Sequence, residues 1–182
     1  MLEADHREAE AMFADIRATE GHARKPLVDK LATALRAHFQ LEEQVVYPQS
    51  ESVVGRTEVE EAINEHKIAK DALEDLLTLS PDEPGVGAAL DALEAAIKHH
   101  VQDEEDEFFP KLRHDGAEAL QHMATPFMHK RVELGMDMPA EGLANAMSKD
   151  ELVAEAKSAG VDHISTMRKS ELAEALARKM AS

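Results

Sequence analysis

The stretch His38-Phe39-Gln40-Leu41-Glu42-Glu43, followed by Tyr47-Pro48, decides the fold, because the chain carries it twice. It aligns without a gap on His100-Val101-Gln102-Asp103-Glu104-Glu105, followed by Phe109-Pro110. An acid-His pair stands upstream of each copy: Asp5-His6 before the first, Glu65-His66 before the second. The repeated unit is a His, about thirty residues, and then His-x-x-x-Glu. A helix repeats about every 3.6 residues, so His38 and Glu42 share a face, as do His100 and Glu104. Two such units facing each other would supply four imidazoles and two carboxylates to one interior point. That is the composition of a dinuclear metal site in a helix bundle.

The rest of the chain suits a bundle. At 182 residues it has room for one bundle of ordinary size and a small extra module. Hydrophobic residues make up 43% and aromatics only 3%, with nine Met, so the apolar positions are filled by helix-favouring side chains. With no Cys, disulfides, zinc-thiolate sites, haem-thiolate ligation and iron–sulfur clusters are excluded, and a reducing interior is suited. No run approaches the roughly 20 apolar residues of a membrane span. No basic, then apolar, then small-residue pattern opens the chain, so a soluble cytoplasmic protein without a secretory signal is expected. The net charge of -17 argues against general nucleic-acid affinity. That charge is uneven: residues 1–140 hold 30 acids and 14 bases, residues 141–182 hold 7 and 6. The break marks a candidate domain boundary.

Periodicity predicts helices over about Leu2–Thr19, Pro26 to a stop at Pro48, Thr57–Leu79 and Ala88–Phe109. Gly21 and the Ser80–Gly87 segment supply turns. Four helices with short connections give an all-α, up-down-up-down four-helix bundle. Residues 117–134 read as a fifth helix, interrupted at Thr125-Pro126 and added to the bundle, so that the first domain is 1–135. Residues 136–147, with Pro139 and Gly142, read as a linker to a module at 148–182. That module opens with a capping box at Ser148-Lys149-Asp150-Glu151. A short helix to about Ala159, an extended connection over Val161–Met167 and a second helix over Lys169–Met180 complete it.

Imidazole nitrogen with carboxylate oxygen suits Fe, Mn, Zn or Ni. Two shared carboxylates favour a pair of metals that reach the trivalent state, which puts iron or manganese ahead of zinc. The plain alternative is a charged bundle that happens to have ten His. A single His-x-x-x-Glu on a solvated helix face would leave that alternative standing, but the in-register duplication tells against it. His99 should point about 100° away from His100, toward the surface. His22, His114, His122 and His129 show no paired spacing. The Met123, Met128, Met136 and Met138 cluster reads as packing, and Phe13 and Phe39 as core or as pocket lining.

These motifs resemble the hemerythrin-like HHE cation-binding family over about residues 1–135: Asp5-His6, His38-x-x-x-Glu42, Glu65-His66, and His100-x-x-x-Glu104 with Phe108-Phe109-Pro110. The resemblance implies a non-haem di-iron centre. His6, His38, His66 and His100 would be terminal ligands, and Glu42 and Glu104 bridges. The family's well-known members bind dioxygen; others are implied in sensing oxygen, iron, nitric oxide or peroxide. The animal oxygen carriers have an extra His one turn after the third, where this chain has Lys70. The symmetric position in the first unit is Glu10, which is thus a candidate seventh ligand. A carboxylate-richer site favours oxidation chemistry or sensing over reversible transport. His6 also lies barely one turn from the start, so a little of the bundle's frame is expected upstream.

The segment from Ser148 to Leu176 resembles the N-terminal domain of transcription terminator Rho, akin to SAP modules, with Leu152, Ala156, Val161, Ile164, Met167, Leu172 and Leu176 as a miniature core. The resemblance implies nucleic-acid contact through Arg168, Lys169, Arg178 and Lys179. Residues 148–182 hold six acids and six bases, which equally suits a protein-contact module. The expected function is a di-iron protein that binds or senses dioxygen, a related oxidant or iron. The alternatives are an enzyme turning over peroxide or nitric oxide, and a nucleic-acid-associated regulator.

Overall fold

Leu31, Leu35, His38 and Glu42 follow one another at helical spacing and all are buried, which fixes the inner face of α2 (Arg24–Leu41) and of the turn after it. The same logic builds its neighbours. In α1 (Leu2–Ala18) the buried stripe is His6, Ala9, Met12, Phe13 and Ile16. In α4 (Arg56–Thr78) it is Val59, Ala62, His66, Ala69, Leu73 and Leu76. In α5 (Val86–Asp103) it is Leu90, Leu93, Ile97 and His100. The stripes of α1, α2 and α5 are apolar toward one end and reach a histidine toward the other, while in α4 His66 stands between Val59 and Ala62 on one side and Ala69, Leu73 and Leu76 on the other. Packed together the four helices therefore form a bundle with an aliphatic core, including Ile16, Leu31, Leu73 and Leu93. Burying each such side chain contributes about 1.5–3 kcal/mol. The histidines collect beyond this core.

The computed structural model describes residues 1–180, and these divide into two compact units, Leu2–Gly116 and the chain from Ala117 on together with Met1. Among the described residues there is no strand, and no helix is long and apolar enough to cross a membrane.

Neither long inner helix stops where the sequence reading stopped it. After α2 the chain passes through a π-helical turn at Glu42–Val46 into α3 (Tyr47–Val54). After α5 it passes through a second π turn at Glu104–Phe108 into α6 (Phe109–Asp115). Pro48 and Pro110 thus sit in the first turns of new helical segments instead of ending helices. A proline inside an α-helix clashes with the carbonyl four residues back and leaves it without a donor. The widened turn just ahead of each proline relieves that conflict: Tyr47 N–H reaches back to Glu42 O, and Phe109 N–H to Glu104 O. π turns inside α-helices concentrate at functional sites, and both begin on the repeated glutamate. Gly55, at φ +112°, then turns the chain from α3 into α4.

The second unit departs from the expected boundaries. Helix α7 (Ala117–Glu133) groups with the C-terminal part, not with the bundle, and runs unbroken through Pro126. A proline there costs roughly 3 kcal/mol, which the burial of Phe127 and Met128 just after it offsets. The stretch read as a linker contains α8 (Ala140–Ala146). Leu143 and Met147 are buried in one cluster with Ala124, Met128, Leu152, Leu172 and Leu176, and that apolar contact is why the linker folds. The helix–extension–helix itself is as expected: α9 (Lys149–Ser158) with its capping box at Ser148 and Glu151, a connection with a 3₁₀ turn at Ile164–Thr166, and α10 (Lys169–Met180).

Candidate metal centre

Six side chains of the repeated motif converge in the first unit: His6, His38, Glu42, His66, His100 and Glu104, each at most 6% exposed. They form two groups whose donor atoms lie within 4.8 Å of one another, His6/His38/Glu42/Glu104 and Glu42/His66/His100. Glu42 belongs to both. Its Oε2 stands 3.2 Å from His38 Nε2, 3.2 Å from His66 Nε2 and 3.8 Å from His100 Nε2. Glu104 Oε2 stands 3.4 Å from His6 Nε2 and 3.6 Å from His100 Nε2. Each carboxylate therefore spans the two repeat units.

The imidazoles face inward through Nε2. His6 Nε2 and His38 Nε2 are 3.2 Å apart, as are His66 Nε2 and His100 Nε2. Outward, three of the four Nδ1 atoms donate to a carboxylate, and the fourth, on His38, faces one beyond hydrogen-bond distance. His6 Nδ1 donates to Glu105 Oε1 at 2.7 Å, His66 Nδ1 to Glu43 Oε1 at 2.9 Å and His100 Nδ1 to Glu65 Oε2 at 3.2 Å, while His38 Nδ1 is 3.9 Å from Asp5 Oδ2. A carboxylate on Nδ1 fixes the tautomer so that Nε2 keeps its lone pair for the interior, the arrangement typical of metal-bound histidine. The pattern is symmetric. The acid before the first His of each unit serves that unit's second His, and the acid after each Glu serves the first His of the other unit. Two bases hold the crossing acids: Arg7 Nη2 lies 2.5 Å from Glu105 Oε1, and Lys70 Nζ lies 2.5 Å from Glu43 Oε1. Lys70, which replaces the carriers' extra histidine, thus supports His66 through Glu43.

Three atoms test whether the site fits metal. Glu42 Oε1, Glu42 Oε2 and Glu104 Oε2 are buried and accept no hydrogen bond among the described residues. A buried polar atom left so costs about 1–3 kcal/mol, more when charged. Cations between the carboxylates and the paired Nε2 atoms would satisfy all of them, and the nitrogen–oxygen donor set suits a transition metal. Without metal the cluster keeps protons instead. Burial alone would lower the His100 imidazole, but Glu42 and Glu65 raise it to about 10. His6 is likewise raised by Glu104 and Glu105 against its burial. Burial would push the Glu42 carboxyl up, but the imidazoles of His38, His100 and His66 hold it well below the usual range. Glu104, buried beside the Glu42 charge, is raised.

Tyr47, which the repeat marks only as a flanking aromatic, belongs to the site. It is 1% exposed, donates to Glu104 Oε1 at 2.9 Å and lies 3.0 Å from His66 Nε2. Burial and the Glu42 and Glu104 charges hold its phenol well above its ordinary range, so it keeps its proton. The signal was available: in the gapless repeat, Tyr47 aligns with Phe109, which stacks on His6 with ring centroids 5.9 Å apart. Glu10 does not join. Its side chain is 44% exposed and accepts from Arg7 Nη1 at 2.9 Å. The buried stripe of α1 runs through His6, Ala9, Met12, Phe13 and Ile16, and a residue four after His6 falls about 100° from the centre of that stripe. His99 is 66% exposed, at the surface as expected. In the second unit, Arg168 donates to Glu171 Oε1 at 2.8 Å and Arg178 lies 3.7 Å from Glu174, both largely exposed. Lys169 is half-buried and Lys179 exposed.

The model of the hemerythrin HHE cation binding domain matches residues 1–112, and that of the Rho termination factor N-terminal domain matches residues 144–182. The chain is 25% identical over 129 residues to a DNA nickase of Nostoc sp., and 27% identical over 128 residues to an uncharacterised hemerythrin-like protein of Schizosaccharomyces pombe. These matches take in 70% and 68% of the chain but only 37% and 63% of the two relatives. A hemerythrin HHE cation binding domain-containing protein from Mycobacterium kansasii shares the fold, with a TM-score of 0.60, 18% identity and 96% of each chain covered.

Proposed function

Because the chain belongs to the hemerythrin HHE cation-binding family, we propose that its bundle holds two metal ions, both iron when iron is available, and that the pair binds or senses dioxygen or a related small oxidant. The observation that carries the proposal is the sharing of Glu42 between two groups of donors, with three buried carboxylate oxygens left without a hydrogen bond. His6, His38 and Glu104 would complete one position, and His66 and His100 the other. Manganese fits the same donors, and zinc satisfies them without redox chemistry. Paired iron would supply reversible oxidation. Around it the chain's own residues exclude bulk water, fix the imidazole tautomers and place the Tyr47 O–H against Glu104. The test is elemental analysis with an optical spectrum of protein from iron-replete cells, before and after adding dioxygen, peroxide or nitric oxide. Two irons per chain and a spectrum that responds to an oxidant are expected. One ion, or zinc alone, would defeat the di-iron reading. Steady-state peroxide turnover by the same sample would convert the binding protein into an enzyme.

A second reading concerns the C-terminal unit, which the Rho-type match favours as a nucleic-acid contact. The exposed Arg168 and Arg178 and the neighbouring Lys169 and Lys179 are its cations. With equal acids and bases in 148–182, binding should be modest and fall steeply with salt. Titration of the full chain with labelled single-stranded DNA at low and high salt checks this. Arg168→Ala with Lys169→Ala should abolish the binding. Binding that ignores salt, or survives that pair of changes, would leave the unit as a protein contact.

A further inference from the structure

Beside the buried donors a cleft of about 110 Å³ opens between α4 and the second π turn. Its charged lining is Glu58, Glu61, Glu65, Asp103, Glu107 and, as a base, Lys111; Glu104 forms its inner wall. The carboxylates descend in exposure from Asp103, whose side chain is 51% exposed, through Glu65 at 14% to Glu104 at 1%. Glu65 joins surface to interior: one oxygen accepts from His100 Nδ1 at 3.2 Å, and the other lies 3.8 Å from the exposed His99 Nε2. At the inner end Glu104 Oε2 is buried and accepts no hydrogen bond among the described residues. Lys111 is partly neutralised by Glu58, 3.2 Å away.

We propose that this cleft is the port through which a divalent metal ion reaches the buried pair, with the graded carboxylates handing the ion inward to Glu104. The proposal rests on the metal-centre reading above and adds its route. A concave wall carrying several like charges over a low-dielectric interior raises the local concentration of counter-ions and their rate of arrival, by roughly 10 to 1,000-fold. The sign selects the traveller. A divalent cation gains most, an anion is repelled, and neutral dioxygen is indifferent to the lining.

Cobalt(II) uptake by the metal-free full chain, followed by stopped-flow absorbance, tests the route. Glu58→Gln, Glu61→Gln and Glu107→Gln together remove three charges from the mouth and touch none of the buried donors or their Nδ1 partners. The triple variant should load about tenfold more slowly at low salt, with the gap closing as salt screens the field, yet reach the wild-type stoichiometry. Lys111→Gln should load faster than wild type. As a control, Asp29→Asn, Asp75→Asn and Asp82→Asn remove three charges at the far end of the bundle, where Asp29 lies by Leu76 and Pro81, and should load at the wild-type rate. If the cleft variant loads like wild type, or the control slows equally, the port is wrong while the centre stands. If wild type takes up no cobalt, the centre itself fails and the port with it.

Discussion

His100→Ala is expected to reduce bound metal from two ions per chain to at most one, and to lower the unfolding free energy of the metal-free protein by about 3–5 kcal/mol, because the change leaves Glu42 and Glu65 facing a void where a charged partner stood; the loaded protein loses the linked binding free energy as well. Glu104→Gln should lose metal as well, but the metal-free protein separates the two variants. The Glu104 carboxyl is raised by burial and by the Glu42 charge, so in the folded apo-protein its ionised form is a burden. A neutral amide of the same shape should leave the apo-protein as stable as wild type or more so, while His100→Ala weakens it. Glu10→Gln should change neither metal content nor stability, since Glu10 pairs with Arg7 at the surface. Elemental analysis with denaturant unfolding, each run with and without chelator, reads all of these. A fully loaded His100→Ala or Glu104→Gln protein would place the ions elsewhere.

Metal removal should also make the protein's stability fall with rising pH. In the apo-protein His100 is raised from 6.5 to about 10. A raised imidazole contributes stability that is fully present below its unfolded value and is lost as pH climbs through the folded one, so the apo-protein should weaken steadily from neutral to strongly alkaline solution. Glu42 acts at the other end: held well below its ordinary value, it contributes stability above that value and loses it as acid protonates the carboxylate. Metal loading must expel the protons that His6 and His100 keep, so affinity rises with pH across the window in which the apo-protein weakens. At free metal about 1,000-fold above its Kd, binding is worth about 4 kcal/mol. The gap between loaded and stripped protein should therefore widen from about pH 6 to about pH 9 in urea melts. A constant gap would mean that the imidazoles are already neutral in the apo-protein.

The six converging donors were legible because helical spacing and in-register duplication point to the same places. His38 and Glu42, or His100 and Glu104, can meet only if both lie inward on one helix, and the apolar residues around them agree. The π turns were not legible. Proline chemistry argues for a helix end at Pro48, and only the tertiary demand on Glu42 and Tyr47 makes a widened turn the better solution. Glu10 was misplaced because one-turn spacing from His6 ignores the direction in which the stripe of α1 drifts. The roles of Glu43, Glu65 and Glu105 depend on contacts between separate helices, which no single helix's periodicity contains. The stretch 136–147 looked like a linker because Pro139 and Gly142 dominate its local signal. Leu143 and Met147 outweigh them once a partner surface exists.

The crossed acids carry a consequence for symmetry. Glu43 of the first half holds His66 of the second, and Glu105 of the second holds His6 of the first. Neither half can orient both of its own histidines alone; each finishes the other. Two identical halves, paired as separate chains, could satisfy every one of those contacts, but they would be bound to repeat whatever stood at the aromatic position. Joined in one polypeptide, the halves are free to differ, and here they do so at Tyr47 and Phe109. A single covalent chain is thus what permits a phenol against His66 and a plain ring against His6, giving a nearly two-fold cage a front and a back.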